Sequence, residues 1–403
     1  MRDENTWESG ASPAAANGDR PFILIWEVTQ ACDLACLHCR ACAQPQRSLL
    51  ELSTNEGEDL IRQVRDLKAP VFVLTGGDPL KRPDIYHLVE YSTSLGVRVS
   101  LSPSATPLLT RDALARLKAC GLARLAISLD GSSAALHDRF RGVTGSYDRV
   151  LQAIGWAHEL GLPVQVNSTM TRHNVHDFEA LARLMESLDV VLWSVFFLVP
   201  TGRGKTEDLL SSEEFEQLFE KLYQLSNRVS FDVKTTEAMH YRRFFSQQRT
   251  REKKVDPASA AQCPRGPLWL KSSVLSQPSP DGIPRATRGI NDAKGFVFVS
   301  HVGEVYPSGF LPLSGGNIRQ RPLAKIYREA PLFVALRNPD NLKGKCGVCE
   351  YREICGGSRA RAYALTGDPL SPEPCCIYQP KDWAPDRVAC LQASVETIQP
   401  AAG

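Results

Sequence analysis

The alternation of short apolar runs with amphipathic stretches constrains this chain most. Runs rich in β-branched and aromatic residues fall at FILIWEV (22–28), VFVLTG (71–76), VRVSLS (97–102), RLAISLD (124–130), VQVNSTM (164–170) and LWSVFFLV (192–199). Their length and composition predict strands. Between them NEGEDLIRQVRDLK (55–68), PDIYHLVEYSTSLG (83–96) and RDALARLKACG (111–121) keep an apolar stripe at helical spacing and end near Gly, Lys or Pro. Strands alternating with helices imply βαβ units and a parallel sheet, an α/β fold. Six such units are expected between residues 22 and 226, fewer than a closed barrel needs. A partial six-strand barrel and a doubly wound sheet both fit.

The 403 residues are 43% hydrophobic and 23% charged, an ordinary balance that buries a sizeable core. A net charge of +2 argues for neither a nucleic-acid nor a membrane-surface partner. The longest apolar runs, such as VVLWSVFFLV (190–199), are too short to cross a bilayer. Residues 1–20 lack the basic start and apolar centre of a signal peptide. They read as a disordered tail, and the protein as cytoplasmic. A barrel over 21–245 is expected, then a polar, basic linker over 246–262, a smaller loop-rich domain over 263–390 and a tail over 391–403.

Twelve cysteines are unevenly spread. In a large cytosolic chain, clustered cysteines bind metal or do catalysis more often than they form disulfides. Cys120, Cys263 and Cys390 are isolated and read as small buried apolar groups. Cys32, Cys36 and Cys39 have the spacing C-x3-C-x2-C directly after the first strand, at the end where parallel βα folds place active sites. Three thiolates suit an iron–sulfur cubane with one iron left open. A zinc site with Cys42 as fourth ligand is the competing reading. KCGVCEYREICGG (345–357) supplies Cys346, Cys349 and Cys355 as C-x2-C-x5-C, and Cys375–Cys376 follow. Structural zinc fits that pattern too.

With the first cysteine loop in this position, the chain resembles the radical S-adenosylmethionine (SAM) enzymes. The resemblance implies a partial (βα)6 TIM-like barrel. Cys32, Cys36 and Cys39 then hold a [4Fe–4S] cluster whose open iron binds SAM. Cleavage of SAM yields a 5′-deoxyadenosyl radical that abstracts hydrogen from substrate. Cys42 lies outside the pattern, and His38 stands where the family often has an aromatic residue. TGGDP (75–79) is similar to the family's GGE-type turn, with Asp for Glu. Gly76 and Gly77 would admit a close backbone approach, and Asp78 would accept from the SAM ammonium. Ser102 and Ser104 follow the third strand, with Ser100 just before them, and Ser128 and Asp130 end the fourth. Arg139 or Arg141 would pair with the SAM carboxylate, Asn167 and Ser168 would reach the ribose, and Val199 in LVPTGRG would line the adenine.

The second cysteine group resembles the SPASM or twitch extension of these enzymes, a loop-rich C-terminal iron–sulfur domain. It implies one auxiliary [4Fe–4S] cluster on Cys346, Cys349, Cys355 and Cys376, with Cys375 competing for the last place. Ser358 stands where related chains often carry cysteine, and Tyr306-Pro307-Ser308 lacks the cysteine of a further cluster. Such a fully ligated site relays electrons. CLHCRA, SHVGEVYPSGFLP and CGVCEYREICGGSRARAYALTGDPLSPEPCCIY together resemble the subgroup of alternative haem synthases and nitrite-reductase haem biosynthesis enzymes. That subgroup implies a tetrapyrrole substrate, oxidative decarboxylation of its propionates, and an electron donor such as flavodoxin or ferredoxin. A ribosomally made peptide is the alternative substrate, and a zinc-stapled binding protein the remote alternative. Arg359 and Arg361 are candidates for propionate recognition, against contacts to the barrel or solvent. His301 and Tyr306 are candidate haem-iron or substrate contacts.

Overall fold

The computed structural model describes residues 19–255, 281–283 and 289–384. Residues 1–18 of the expected N-terminal tail, the expected tail 391–403, the linker residues 256–262, Cys263 and Cys390 lie outside the described residues.

The six expected strands form: β1 (Ile23–Glu27), β2 (Val71–Thr75), β3 (Val99–Leu101), β4 (Arg124–Ser128), β5 (Val164–Met170) and β6 (Leu192–Phe197). They pair in chain order, every pair parallel. This order rules out the doubly wound alternative and leaves a partial barrel. A seventh parallel strand, β7 (Asp232–Thr236), extends the sheet beyond β6. On the other side of β1 sits β8 (Phe296–Val299), also parallel, followed by antiparallel β9 (Glu304–Tyr306) and β10 (Gly316–Asn317). The ladder therefore runs β10-β9-β8-β1 to β7. Among the described residues no ladder joins β7 to β8, and the barrel is open along that seam.

Helices cover the outer face: α1 (Thr54–Asp66), α2 (Ile85–Ser94), α3 (Arg111–Ala119), α4 (Ala134–Arg141), α5 (Ser146–Glu159), α6 (Phe178–Ser187) and α7 (Ser212–Arg228). In β1, Leu24 and Trp26 point outward into this layer and are fully buried, while Ile23 and Ile25 face the lumen. The period of two makes that division automatic. α1 and α7 each open on a capping box, Ser53 with Glu56 and Ser211 with Glu214, which fills amides left free at a helix start.

Residues 246–255, expected in the linker, continue helix α8 (Tyr241–Val255). Its start explains this. Tyr241 and Phe244 pack on Phe219 of α7 at ring distances of 5.3 and 5.9 Å, and Arg243 pairs with Glu216. Further on lie α9 (Leu323–Glu329), α10 (Pro331–Arg337), the single turn α11 (Gly344–Gly347) and α12 (Arg359–Thr366). Among the described residues no helix is long and apolar enough to cross a membrane.

Candidate active site and cluster sites

The cysteine loop leaves β1 and returns on itself. Ala31 bridges Gln44, and the Cys32 amide donates to the Gln44 carbonyl at 2.8 Å. The end of α4 holds its far side. A helix C-terminus leaves carbonyls without intrahelical partners. Here the Leu37 and Ala35 amides donate to Phe140 and Arg141 carbonyls at 3.0 and 3.1 Å. Gly142 (φ 70°) ends α4, and a Cβ there would stand 2.8 Å from the Ala35 carbonyl oxygen.

Cys32 and Cys36 are buried with Leu34, and Cys39 packs against them. The Leu34 amide donates to the Cys32 sulfur at 3.4 Å. Ser104 Oγ lies 3.3 Å from that sulfur and donates to the Gly77 carbonyl at 2.8 Å. Burial pushes the Cys32 thiol's pKa up, and nearby Asp78 and Cys36 add to this. Arg141 Nη1 reaches the Cys36 sulfur at 3.6 Å. Cys42 is exposed in a left-handed conformation, apart from this group.

The glycine turn abuts the loop's root. A Cβ on Gly76 would lie 2.5 Å from the Thr29 carbonyl oxygen, and one on Gly77 2.5 Å from those of Gln30 and Ala31. Only glycine permits this approach. Ser102 and Asn167 both face the lumen. Ser128 stands opposite Asn167 in the β4–β5 register.

Four candidate contacts sit differently from expectation. Asp78 is fully buried and accepts from Thr106 Oγ1 at 2.6 Å and the Leu80 amide at 3.1 Å. It braces the turn, and burial raises its pKa. Asp130 is also fully buried. It accepts from the Thr169 amide at 2.7 Å and ion-pairs with Arg141. Ser168 points outward to Trp193 Nε1 at 2.9 Å, as strand alternation dictates. Val199 is buried, and its carbonyl accepts from the Thr201 amide at 2.8 Å. Sequence reasoning missed Arg203, whose Nε and amide donate to the Cys36 and Cys39 carbonyls, both at 2.9 Å. The 198–204 loop thus clamps the cysteine loop. His38 stacks on Phe140 at 4.4 Å. Burial, with Arg141 and Arg203 nearby, holds its pKa well below the ordinary value.

Cys346, Cys349, Cys355 and Cys376 line one small cavity with His240, Arg243 and Lys345. Amides aim at their sulfurs: Glu373 to Cys346 at 3.3 Å, Gly357 to Cys355 at 3.4 Å, Tyr351 to Cys349 and Tyr378 to Cys376. Burial, helped by Glu350 and the neighbouring thiols Cys346 and Cys376, lifts the thiol of Cys349 to about 11. Thiols that crowd and destabilise one another's anions suit a cationic metal core between them. Cys375 lies in the apolar core instead, beside Arg361, and not in that cavity. Among the described residues no three metal-ligating side chains stand close enough to enclose a single ion. A cubane sets its cysteines on separate irons and takes a more open arrangement.

Arg359 and Arg361 do not reach the lumen. Arg359 is buried and donates to the Pro369 and Ser371 carbonyls at 3.0 and 2.7 Å. Arg361 is fully buried, pairs with Glu373 at 3.1 Å and donates to the Leu198 carbonyl at 3.2 Å, tying α12 to the end of β6. His301 Nδ1 lies 3.0 Å from Glu27. Arg40 stands 3.1 Å from the same carboxylate. Burial alone would raise Glu27's pKa, but these two partners hold it below the ordinary carboxylate value.

A parallel partial barrel with a three-cysteine loop after its first strand defines a class. The Radical SAM superfamily profile matches residues 26–185, and the chain belongs to that superfamily, whose members bind a [4Fe–4S] cluster and SAM. It is 39% identical over 360 residues to the AdoMet-dependent heme synthase of Methanosarcina barkeri, covering 89% of this chain and 97% of that protein. The AdoMet-dependent heme synthase of Nitratidesulfovibrio vulgaris is 39% identical over 367 residues, covering 91% and 94%. Among solved structures, Streptococcus suis SuiB bound to S-adenosylmethionine superposes with a TM-score of 0.64 at 17% identity, covering 89% of this chain and 78% of that one. This last likeness is one of fold.

Proposed function

We propose that this radical SAM enzyme acts on the propionate side chains of an iron-bearing tetrapyrrole, a reading in line with its relatives named AdoMet-dependent heme synthase. One observation carries the reading. The barrel encloses a lumen of about 260 Å³ with apolar walls, including Ile25, Val73, Phe298 and Phe310, and basic groups including Arg40 and Arg242. A flat apolar ring with acidic arms matches such a lining.

In this reading Cys32, Cys36 and Cys39 hold the catalytic cluster and leave one iron for SAM. Gly76, Gly77, Ser102, Ser104, Ser128 and Asn167 frame SAM, while Asp78, Asp130, Arg141 and Val199 keep that frame in place. Cys346, Cys349, Cys355 and Cys376 hold the auxiliary cluster. When bound, these groups supply a 5′-deoxyadenosyl radical and an electron acceptor for the oxidation. The protein's own part is to seat the substrate between the two cysteine sites and exclude water.

The test is anaerobic titration of reconstituted protein with iron coproporphyrin III, followed by a dithionite-driven assay with SAM. A visible-band shift, 5′-deoxyadenosine and a decarboxylated porphyrin are expected. In Cys36→Ala, deoxyadenosine formation ceases while auxiliary iron stays. Binding without decarboxylation, or no band shift, would overturn the tetrapyrrole reading and return the peptide alternative.

A further inference from the structure

Four cations line the lumen: Arg40, Arg124, Lys234 and Arg242. Arg40 is paired with Glu27 at 3.1 Å, and Arg124 with Asp281 at 2.8 Å. Arg242 is held differently. It lies in the first turn of α8, at the open seam between β7 and β8. Its Nη1 and Nη2 donate to the carbonyls of Ile354 and Ile290 at 2.9 and 2.6 Å. Both acceptors are uncharged. Among the described residues no carboxylate pairs with its guanidinium. The cation is fixed in position with no carboxylate partner, the Cys355 thiol being the one acidic group that acts on it, and N–H donors are left over.

Two further facts sharpen this. Burial lowers the Arg242 pKa only to about 10, so the group stays charged at neutral pH. Glu237, which also lines the lumen, provides no counter-charge there. Its carboxylate takes the Ser358 hydroxyl. Burial, with nearby Asp292, pushes its pKa to about 8 and keeps it largely protonated. A guanidinium fixed by uncharged carbonyls and without a carboxylate partner, in a mostly apolar lumen, is a receptor for a planar anion.

We propose that Arg242 anchors a carboxylate of the substrate in the lumen and so sets how the ring sits in the barrel. This rests on the tetrapyrrole reading above and adds the residue that reads the substrate's acidic arms. Arg242 takes the place that the sequence suggested for Arg359 and Arg361, both of which are consumed internally. It is a binding and positioning residue.

The test uses full-length, anaerobically reconstituted enzyme. Dissociation constants for iron coproporphyrin III and for its methyl ester are read from the visible band in wild type, Arg242→Gln and Arg242→Lys. The ester keeps the ring and loses the charge. Arg242→Gln is expected to weaken the acid ~10- to 100-fold and leave the ester unchanged. Arg242→Lys, which keeps a cation without the planar fork, weakens the acid less and carries the test if the glutamine variant does not fold. Equal weakening of acid and ester would make Arg242 a strut between Ile290 and Ile354 and overturn the proposal. So would acid affinity equal to wild type. Wild type that binds neither ligand would instead remove the tetrapyrrole reading, and the anchor with it.

Discussion

Asp130 holds the guanidinium that reaches the Cys36 sulfur: its carboxylate ion-pairs with Arg141, whose Nη1 lies 3.6 Å from that sulfur. The pair is shut away from water, with Asp130 fully buried and the Arg141 side chain 11% exposed. The strand end and the cysteine loop are therefore coupled through one charge pair. Asp130→Asn keeps an acceptor for the Thr169 amide but strands the guanidinium. We expect a loss of ~3–5 kcal/mol in stability, read as a fall in urea midpoint at neutral pH, together with reduced iron in the catalytic site. An unchanged midpoint would show that Arg141 finds another partner.

Cys375 and Cys376 are adjacent but unequal. Cys376 faces the auxiliary cavity, and Cys375 faces the core. Cys376→Ala should cut iron from about eight to about four per chain, one cubane's worth. Cys375→Ala should keep both cubanes and cost only packing. The reverse pattern in iron and sulfide analysis would exchange their roles.

Gly77→Ala places a methyl 2.5 Å from two backbone oxygens, those of Gln30 and Ala31. Neither can retreat without moving the root of the cysteine loop. Weaker SAM binding is expected, by an order of magnitude or more, with auxiliary iron intact. Equilibrium dialysis with SAM checks this, and wild-type affinity would contradict the close approach.

His137 is buried and accepts from the Asp130 amide at 3.1 Å through Nδ1. Burial, with Arg141 nearby, holds its pKa at about 3. The unfolded chain therefore takes up that proton first. This contribution to stability is complete above the ordinary histidine value, near ~6.5, and is lost as pH falls from there toward about 3. Urea midpoints of wild type should drop between about pH 7.5 and 5 more than those of His137→Gln. Equal drops would locate the acid sensitivity elsewhere.

Much of this was legible in the residues. Strands β1 to β6 announce themselves because each carries an apolar set that a helical layer must bury. β7 does not. Its DVKTT has only Val233 buried, so no apolar period marks it. The SQQRTREKKV half of α8 reads as a linker because the aromatic contacts of the helix lie in the preceding YRRFF, while its own contacts to α7, such as Gln248 to Glu220 at 2.9 Å, are polar. Cysteine spacing survives into the structure because ligand chemistry demands it locally. Polar strand ends are harder. Asp78 and Asp130 carry the right groups at the right places, yet both are spent on holding neighbours. Whether a carboxylate faces a ligand or a buried arginine depends on packing from α4 and the 104–106 turn, which the strand pattern does not reveal. The same holds for Arg359, Arg361 and Arg242. Three arginines look alike in the chain, and only tertiary contacts decide which is left without a carboxylate partner and lines the lumen.

β8 hydrogen-bonds to β1 from the distant half of the chain, and this has a consequence for the order of synthesis. As the polypeptide leaves the ribosome, β1 can pair with β2 early, but its other edge stays bare until residues 296–299 emerge. The thiols at 32, 36 and 39 hang from that half-finished strand. The Leu52 amide just beyond their loop also waits for the His301 carbonyl, which it meets at 2.7 Å. Non-local pairings of this kind form late. The first cysteine site to be translated is thus completed only after some three quarters of the chain has been made.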